Sequence, residues 1–242
     1  MAYMESFQRW AICAVCLLVW GCGQDPNTEL LTNQDEVFST AVQSQLFSVL
    51  EESQNNIISG VLETSELESE TNCKPKFGLV LVGVKLNFTG SENCKLNGSI
   101  DLKFFPTVAR ANLDIVGLDH VRSLSFDADV DFSKESSGMA VLFEILEGHI
   151  SLRNLPVVQF EDLVLTGKAS FTSNDSQRML QTRFNAFESK SGIGVAFLLN
   201  TSKNKLTDES SRTVQGCLLK NGVGTDPEAG SLEQCKDLGG TP

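Results

Sequence analysis

Seven cysteines, two histidines and a short run of alternating aspartates are the side chains best equipped for chemistry in this 242-residue chain. Cys13, Cys16 and Cys22 lie in or beside an apolar run at 11–20, leaving Cys73, Cys94, Cys217 and Cys235 for everything that follows. Four cysteines in an exported chain read as two disulfides, with three possible connectivities. Local pairing, Cys73–Cys94 and Cys217–Cys235, is preferred because each loop is then short. A zinc site needs thiolates or imidazoles at ligand spacing. The C-x-x-C formed by Cys13 and Cys16 falls inside the apolar run, and His120 and His149 stand at no such spacing. No metal and no cofactor is expected.

Catalytic constellations are equally thin. Asp127, Asp129 and Asp131 share one strand face, but successive carboxylates there sit about 7 Å apart and diverge. As a calcium loop the segment fails, because Phe132 stands where the turn glycine belongs and Gly138 where a closing Glu is needed. The three read as a solvated sheet face. Asp119-His120 lies on a turn near Ser123 and Ser125, yet a serine hydrolase of the G-x-S-x-G type has no matching elbow in this chain. His120 and His149, the latter beside Gly148, read as surface turn residues. No Gly-rich phosphate loop and no H-E-x-x-H occurs, so the chain is read as a non-enzyme. Four sequons, at Asn87, Asn97, Asn174 and Asn200, permit glycans if the chain is exported. The acidic stretch from Glu63 to Glu70 reads as a solvated helix end or linker.

The elements that hold these residues start with a targeting signal. Arg9 precedes the apolar run at 11–20, and Gly21-Cys22-Gly23 leads into a polar stretch bearing Pro26. That is the pattern of a signal peptide over 1–23, and no later stretch is apolar enough for a membrane helix. Cleavage after Gly23 gives a secreted chain. The alternative is lipidation at Cys22, since Val19-Trp20-Gly21-Cys22 resembles a bacterial lipobox; that route would make the chain an outer-membrane lipoprotein. Secretion is preferred, because Trp20 fits a lipobox poorly.

Asn33 and Glu36 then form a capping box. Phe38, Ala41, Val42, Leu46, Val49 and Leu50 follow at helical spacing, and after a polar step at Ser53 and Gln54 the stripe resumes at Ile57, Ile58, Val61 and Leu62. One helix over 34–65 is predicted, with a break possible at Gly60. From Phe77 the period becomes two. Val80, Val82, Val84, Leu86 and Phe88 alternate, as do Leu96, Ile100, Leu102 and Phe104, then Ala109 to Ile115, then Leu124, Phe126, Ala128, Val130 and Phe132. Further strands are expected over 139–146, 148–154, 157–171, 180–188 and 192–199. Short turns between alternating strands imply an antiparallel meander. The fold class is α+β, a long N-terminal amphipathic helix packed on a curved antiparallel sheet. One domain covers 24–220, and 221–242 is a Gly-, Asp- and Pro-rich tail.

Composition narrows the partners. The net charge is −12, and removing 1–23 takes one Arg and one Glu, leaving it unchanged. No basic surface for nucleic acid is expected. Trp10, Trp20 and Tyr3 all lie in the leader, so every aromatic of the mature chain is Phe. Sugar binding on Trp or Tyr platforms is therefore excluded.

The order of helix and alternating sheet resembles the tubular lipid-binding superfamily, which includes bactericidal/permeability-increasing proteins, takeout and juvenile-hormone-binding proteins, and mite group 7 allergens. The resemblance spans roughly 34–155 and rests on Leu113-Asp-Ile115-Val-Gly117-Leu118 followed by Phe126-Asp-Ala128-Asp-Val130-Asp-Phe132. No long helix follows residue 200, and the takeout-type cysteine pair near the N-terminus is missing. The resemblance implies a curved sheet wrapped on the helix, around an apolar channel for a lipid or terpenoid-like molecule. Residues facing that interior are Phe38, Val42, Leu46 and Val49 from the helix, with Phe88, Phe104, Phe126 and Phe132 from the strands. The same residues could close into a solid core with no channel. The membrane is a partner only if Cys22 is lipidated.

Overall fold

The computed structural model describes residues 34–62, 73–135, 138–219 and 232–238. The leader, Cys22, Asn33 of the capping box and the acidic stretch at 63–70 lie outside them.

Alternating sequences with hairpin-length connections form neighbouring antiparallel strands, each with one face to water. The strands are β1 (Lys76–Val80), β2 (Gly83–Phe88), β3 (Leu96–Phe104), β4 (Thr107–Ile115), β5 (Val121–Glu135), β6 (Gly138–Leu152), β7 (Asp162–Asn174), β8 (Gln177–Phe187), β9 (Gly194–Asn204), β10 (Ser210–Leu219) and β11 (Leu232–Asp237). They form one open antiparallel sheet in strict chain order, so each strand pairs only with its sequence neighbours.

Several boundaries differ from the sequence reading. The strands expected at 139–146 and 148–154 are one strand, β6, in which a bulge beside Leu146 and Glu147 shifts the register and keeps Ile145 and Ile150 on the buried face. The segment 157–160 is a 3-10 turn at Val158–Phe160, not the start of a strand, and it turns Phe160 into the core. Two strands, β10 and β11, follow residue 199, the second within 221–242.

The helix is also not continuous. It divides into α1 (Gln34–Val37) and α2 (Thr40–Leu62), with the break at Phe38-Ser39 and not at Gly60. Phe38 leaves the helical path to set its ring edge-on to Phe160, 5.2 Å between centroids. The Gln43 side-chain amide donates to the Phe38 carbonyl, supplying a partner at the break. Gly60 is needed where the helix meets the sheet: a Cβ there would lie 2.7 Å from Leu102 Cδ1 and 3.4 Å from Leu86 Cδ1.

Only Thr40, Ala41 and Ser48 of α2 are exposed, so burial extends well beyond a single stripe. Ser53 and Gln54, expected as a polar step, are buried. Ser53 donates to the Val49 carbonyl at 2.8 Å, and Gln54 exchanges hydrogen bonds of 2.9 and 3.1 Å with Thr182 on β8. Gln45 accepts the His120 amide at 2.9 Å, just before β5. Arg212 on β10 donates to Glu51. One helix thereby touches β2, β3, β8 and β10.

A disulfide joins Cys73 to Cys94, with Cα atoms 4.5 Å apart, as local pairing anticipated. Cys217 is also disulfide-bonded, and the backbone register sets it opposite Cys235. Among the described residues, no helix is long and apolar enough to cross a membrane.

Candidate functional site

The interior follows from strand register. Leu86, Ile100, Ala111 and Phe126 stand opposite one another across β2–β5, the row continues through Gly148, Leu165 and Ala186 on β6–β8, and Val130, Phe143, Ala169 and Thr182 form a second row beside it. Phe126, Phe143 and Phe184 meet edge-on, with centroids 5.7 and 6.3 Å apart. Phe38 and Leu46 are 0% exposed, and Val42, Val49, Phe88 and Phe126 are at most 4% exposed. No water-sized space opens beside Phe38 or Leu46, so this part of the interior is packed solid.

Two of the expected lining residues do not belong to that core. Phe104 is half-buried and Phe132 is 45% exposed. The cause is length: β4 pairs with β5 only as far as Asp129, so Phe132 runs past the β4 edge. Phe104 lies one inward step beyond Leu102, where α2 makes its Gly60 contact. Other inward-face residues are exposed as well. On β1, Phe77 and Leu79 stand opposite the inward residues Leu86 and Val84, yet they are 68% and 92% exposed. Phe77, Leu79 and Val84, neighbours on β1 and β2, thus form an exposed to half-buried apolar edge on the inward face; Phe104 lies on β3, and Phe132 lies four strands from β1, on β5. The alternation read from Val80 through Phe88 as one run is broken by a hairpin turn at Leu81 and Val82, so Val80 ends β1 on the outward face and Val84 belongs to β2.

A second constellation had gone unnoticed. The Glu52 carboxylate and the sulfurs of Cys73 and Cys94 lie within 4.8 Å of one another, all buried. Glu52 follows Val49 by three positions at the edge of the apolar stripe, which was the signal available. With the sulfurs bonded to each other, no thiolate is free to bind a metal. Glu52 Oε1 has no hydrogen-bond partner. Burial, aided by neighbouring Glu51 and opposed by Lys95, pushes the Glu52 carboxyl from its ordinary 4.5 to about 7. Its folded pKa is raised, so its contribution to stability is full below about pH 4.5 and is lost as pH rises through about 7. Glu52→Gln should therefore gain about 2 kcal/mol relative to the parent between those limits, measured by urea unfolding across pH. A pH-independent difference would contradict the buried acid.

The remaining candidates are structural. Arg110 grips Asp127 with two hydrogen bonds of 2.7 and 2.8 Å, which lowers the Asp127 pKa. Asp129 and Asp131 are exposed. His149 is exposed, 3.8 Å from Glu147. His120 is half-buried, not a surface residue, because its backbone joins α2 to Arg153. Among the described residues, no hydrogen bond joins either imidazole to a serine or cysteine. Asn174 and Asn200 are exposed, while Asn87 and Asn97 are half-buried. The Asn174 side-chain oxygen accepts from Ser176 and Gln177 and so organises the β7–β8 turn.

No protein-family model, curated protein or solved structure matches this chain.

Proposed function

We propose that this is an exported, non-enzymatic protein that binds an apolar ligand, lipid or terpenoid-like, at the open edge of the interior formed by its long helix and a meander curled round it. Reach supports the curling. β3 and β10 are seven strands apart in the sheet order, about 34 Å if flat, yet α2 meets them at Gly60 and Glu51, positions about 14 Å apart along the helix axis. The disulfide and the absence of a membrane-crossing helix among the described residues are compatible with export.

The observation that carries the ligand reading is the exposed inward face of Phe77 and Leu79 on the edge strand β1, with half-buried Val84 beside them and buried Leu86 next in line. The ligand sits on that edge, and Phe38, Val42, Leu46, Val49, Phe88 and Phe126 serve as scaffold beneath it. Without polar handles, selection is by shape and apolar area. The test is titration of an environment-sensitive fatty-acid probe. Phe77→Asp and Leu79→Asp should each weaken binding about tenfold with unchanged circular dichroism, because both side chains are exposed. A parent that ignores the probe would overturn the reading.

A second reading, a structural or interaction protein with a filled core and attachment through Cys22, draws on the packing around Phe38 and Leu46. It predicts no uptake by parent or variants.

A further inference from the structure

Three buried groups take no part in the ligand edge. Glu52 lies within α2, Cys73 just before β1, and Cys94 in the turn from β2 to β3. Backbone hydrogen bonds of 2.8 and 3.2 Å between Ser91 and Cys94 close that turn. The Glu52 carboxylate and both sulfurs lie within 4.8 Å of one another. Glu52 is 6% exposed, and Cys73 and Cys94 are 4% and 7% exposed. Glu52 Oε1 has no hydrogen-bond partner. A buried carboxylate without a partner is a cost to the fold, and this one is set against the two sulfurs.

Opening the disulfide changes what this group can do. A dithiol reductant passes two electrons and two protons to the Cys73–Cys94 bond. The S–S bond breaks, two thiols form, and the dithiol leaves as its own disulfide. The chain also holds both thiols before that bond first closes. Two thiols and a carboxyl are ligand types of a zinc site, and zinc displaces their protons as it binds. Tetrahedral zinc holds sulfur at about 2.3 Å and carboxylate oxygen at about 2.0–2.2 Å, so its ligand atoms sit about 3.6–3.8 Å apart. A spread of at most 4.8 Å is close to that arrangement. Magnesium and calcium fit worse, since they take oxygen ligands.

We propose that, with the disulfide reduced, Cys73, Cys94 and Glu52 form a site for one thiophilic divalent cation of the zinc class. They supply three ligands and leave one tetrahedral position to water. Two thiolates and a carboxylate exceed the cation by one charge. Lys95, near enough to act on Glu52, offsets it, and neighbouring Glu51 is already paired with Arg212. The cation ties α2 to the start of β1 and to the β2–β3 turn. Cation and disulfide are therefore alternative clips for one sheet edge, exchanged by redox state. The site stands whether or not that edge carries an apolar ligand.

The test uses the full chain, reduced in urea with dithiothreitol and returned without oxygen to buffer free of it. Iodoacetamide is added with and without zinc chloride. Alkylation is read at each cysteine by peptide mass spectrometry, so Cys73 and Cys94 are scored apart from the rest. Zinc should slow alkylation at both, because a coordinated thiolate is a poor nucleophile, and a chelator should restore the rate. Glu52→Gln should need at least about tenfold more zinc for the same protection, no less than the loss that follows removal of a ligand's outer partners. That variant removes a buried acid and should be no less stable than the parent, so a folding defect would not explain its loss; circular dichroism checks this. No zinc protection of Cys73 and Cys94 in the parent overturns the proposal. Equal protection in parent and Glu52→Gln also overturns it, because two thiolates alone would then hold the ion.

Discussion

Phe143→Ala should lower stability by about 3–5 kcal/mol, the largest loss expected from one truncation in this chain. Phe143 is 1% exposed. It stands edge-on between Phe126 and Phe184 and has Val130 and Ala169 as its cross-strand neighbours. Removing the ring forfeits its transfer from water and two aromatic contacts. It also leaves a void that backbone paired on both sides cannot collapse to fill. Domains as a whole are stable by about 5–15 kcal/mol, so such a loss takes a large share. Residues 24–242 contain no Trp or Tyr, so urea unfolding is best followed by far-ultraviolet circular dichroism. A loss below about 1 kcal/mol would mean the centre of the interior is not tightly packed.

The second large effect is removal of the Cys73–Cys94 bond. These cysteines are 21 residues apart in sequence, and closing a loop of that size restricts the unfolded chain by about 3 kcal/mol in the entropic account. The paired change Cys73→Ala, Cys94→Ala should lower stability by about that amount. Position adds a local consequence. Cys73 precedes β1, an edge strand paired only with β2, so the clip anchors the strand that carries Phe77 and Leu79. Amide exchange at 77–80 should accelerate more than exchange in β7 or β8. Uniform acceleration would mean the bond acts on the whole domain and not on this edge.

Alternation made β2 to β5 legible, because each strand exposes one face and every second residue records it. Local chemistry likewise pointed to the Cys73–Cys94 pair. What was not legible depended on partners distant in sequence. The break at Phe38-Ser39 exists because Phe160 offers a ring more than a hundred residues away. Ser53 and Gln54 looked like a surface step until Thr182 supplied a bond. Glu52 looked like an ordinary helix carboxylate until the disulfide enclosed it. Strand lengths decide exposure. Phe104 and Phe132 share the alternation of Phe88 and Phe126, and only the ends of β4 and α2 determine that they stay uncovered.

Carriage of an apolar molecule on the inward edge formed by Phe77, Leu79 and Val84 is tested most directly by native mass spectrometry. The chain would be purified from its exporting cell without detergent. The account predicts an adduct with the mass of one apolar molecule, released into organic solvent, and absent or much reduced in Leu79→Asp. A chain that emerges bare, and stays bare after incubation with fatty acid, would contradict it.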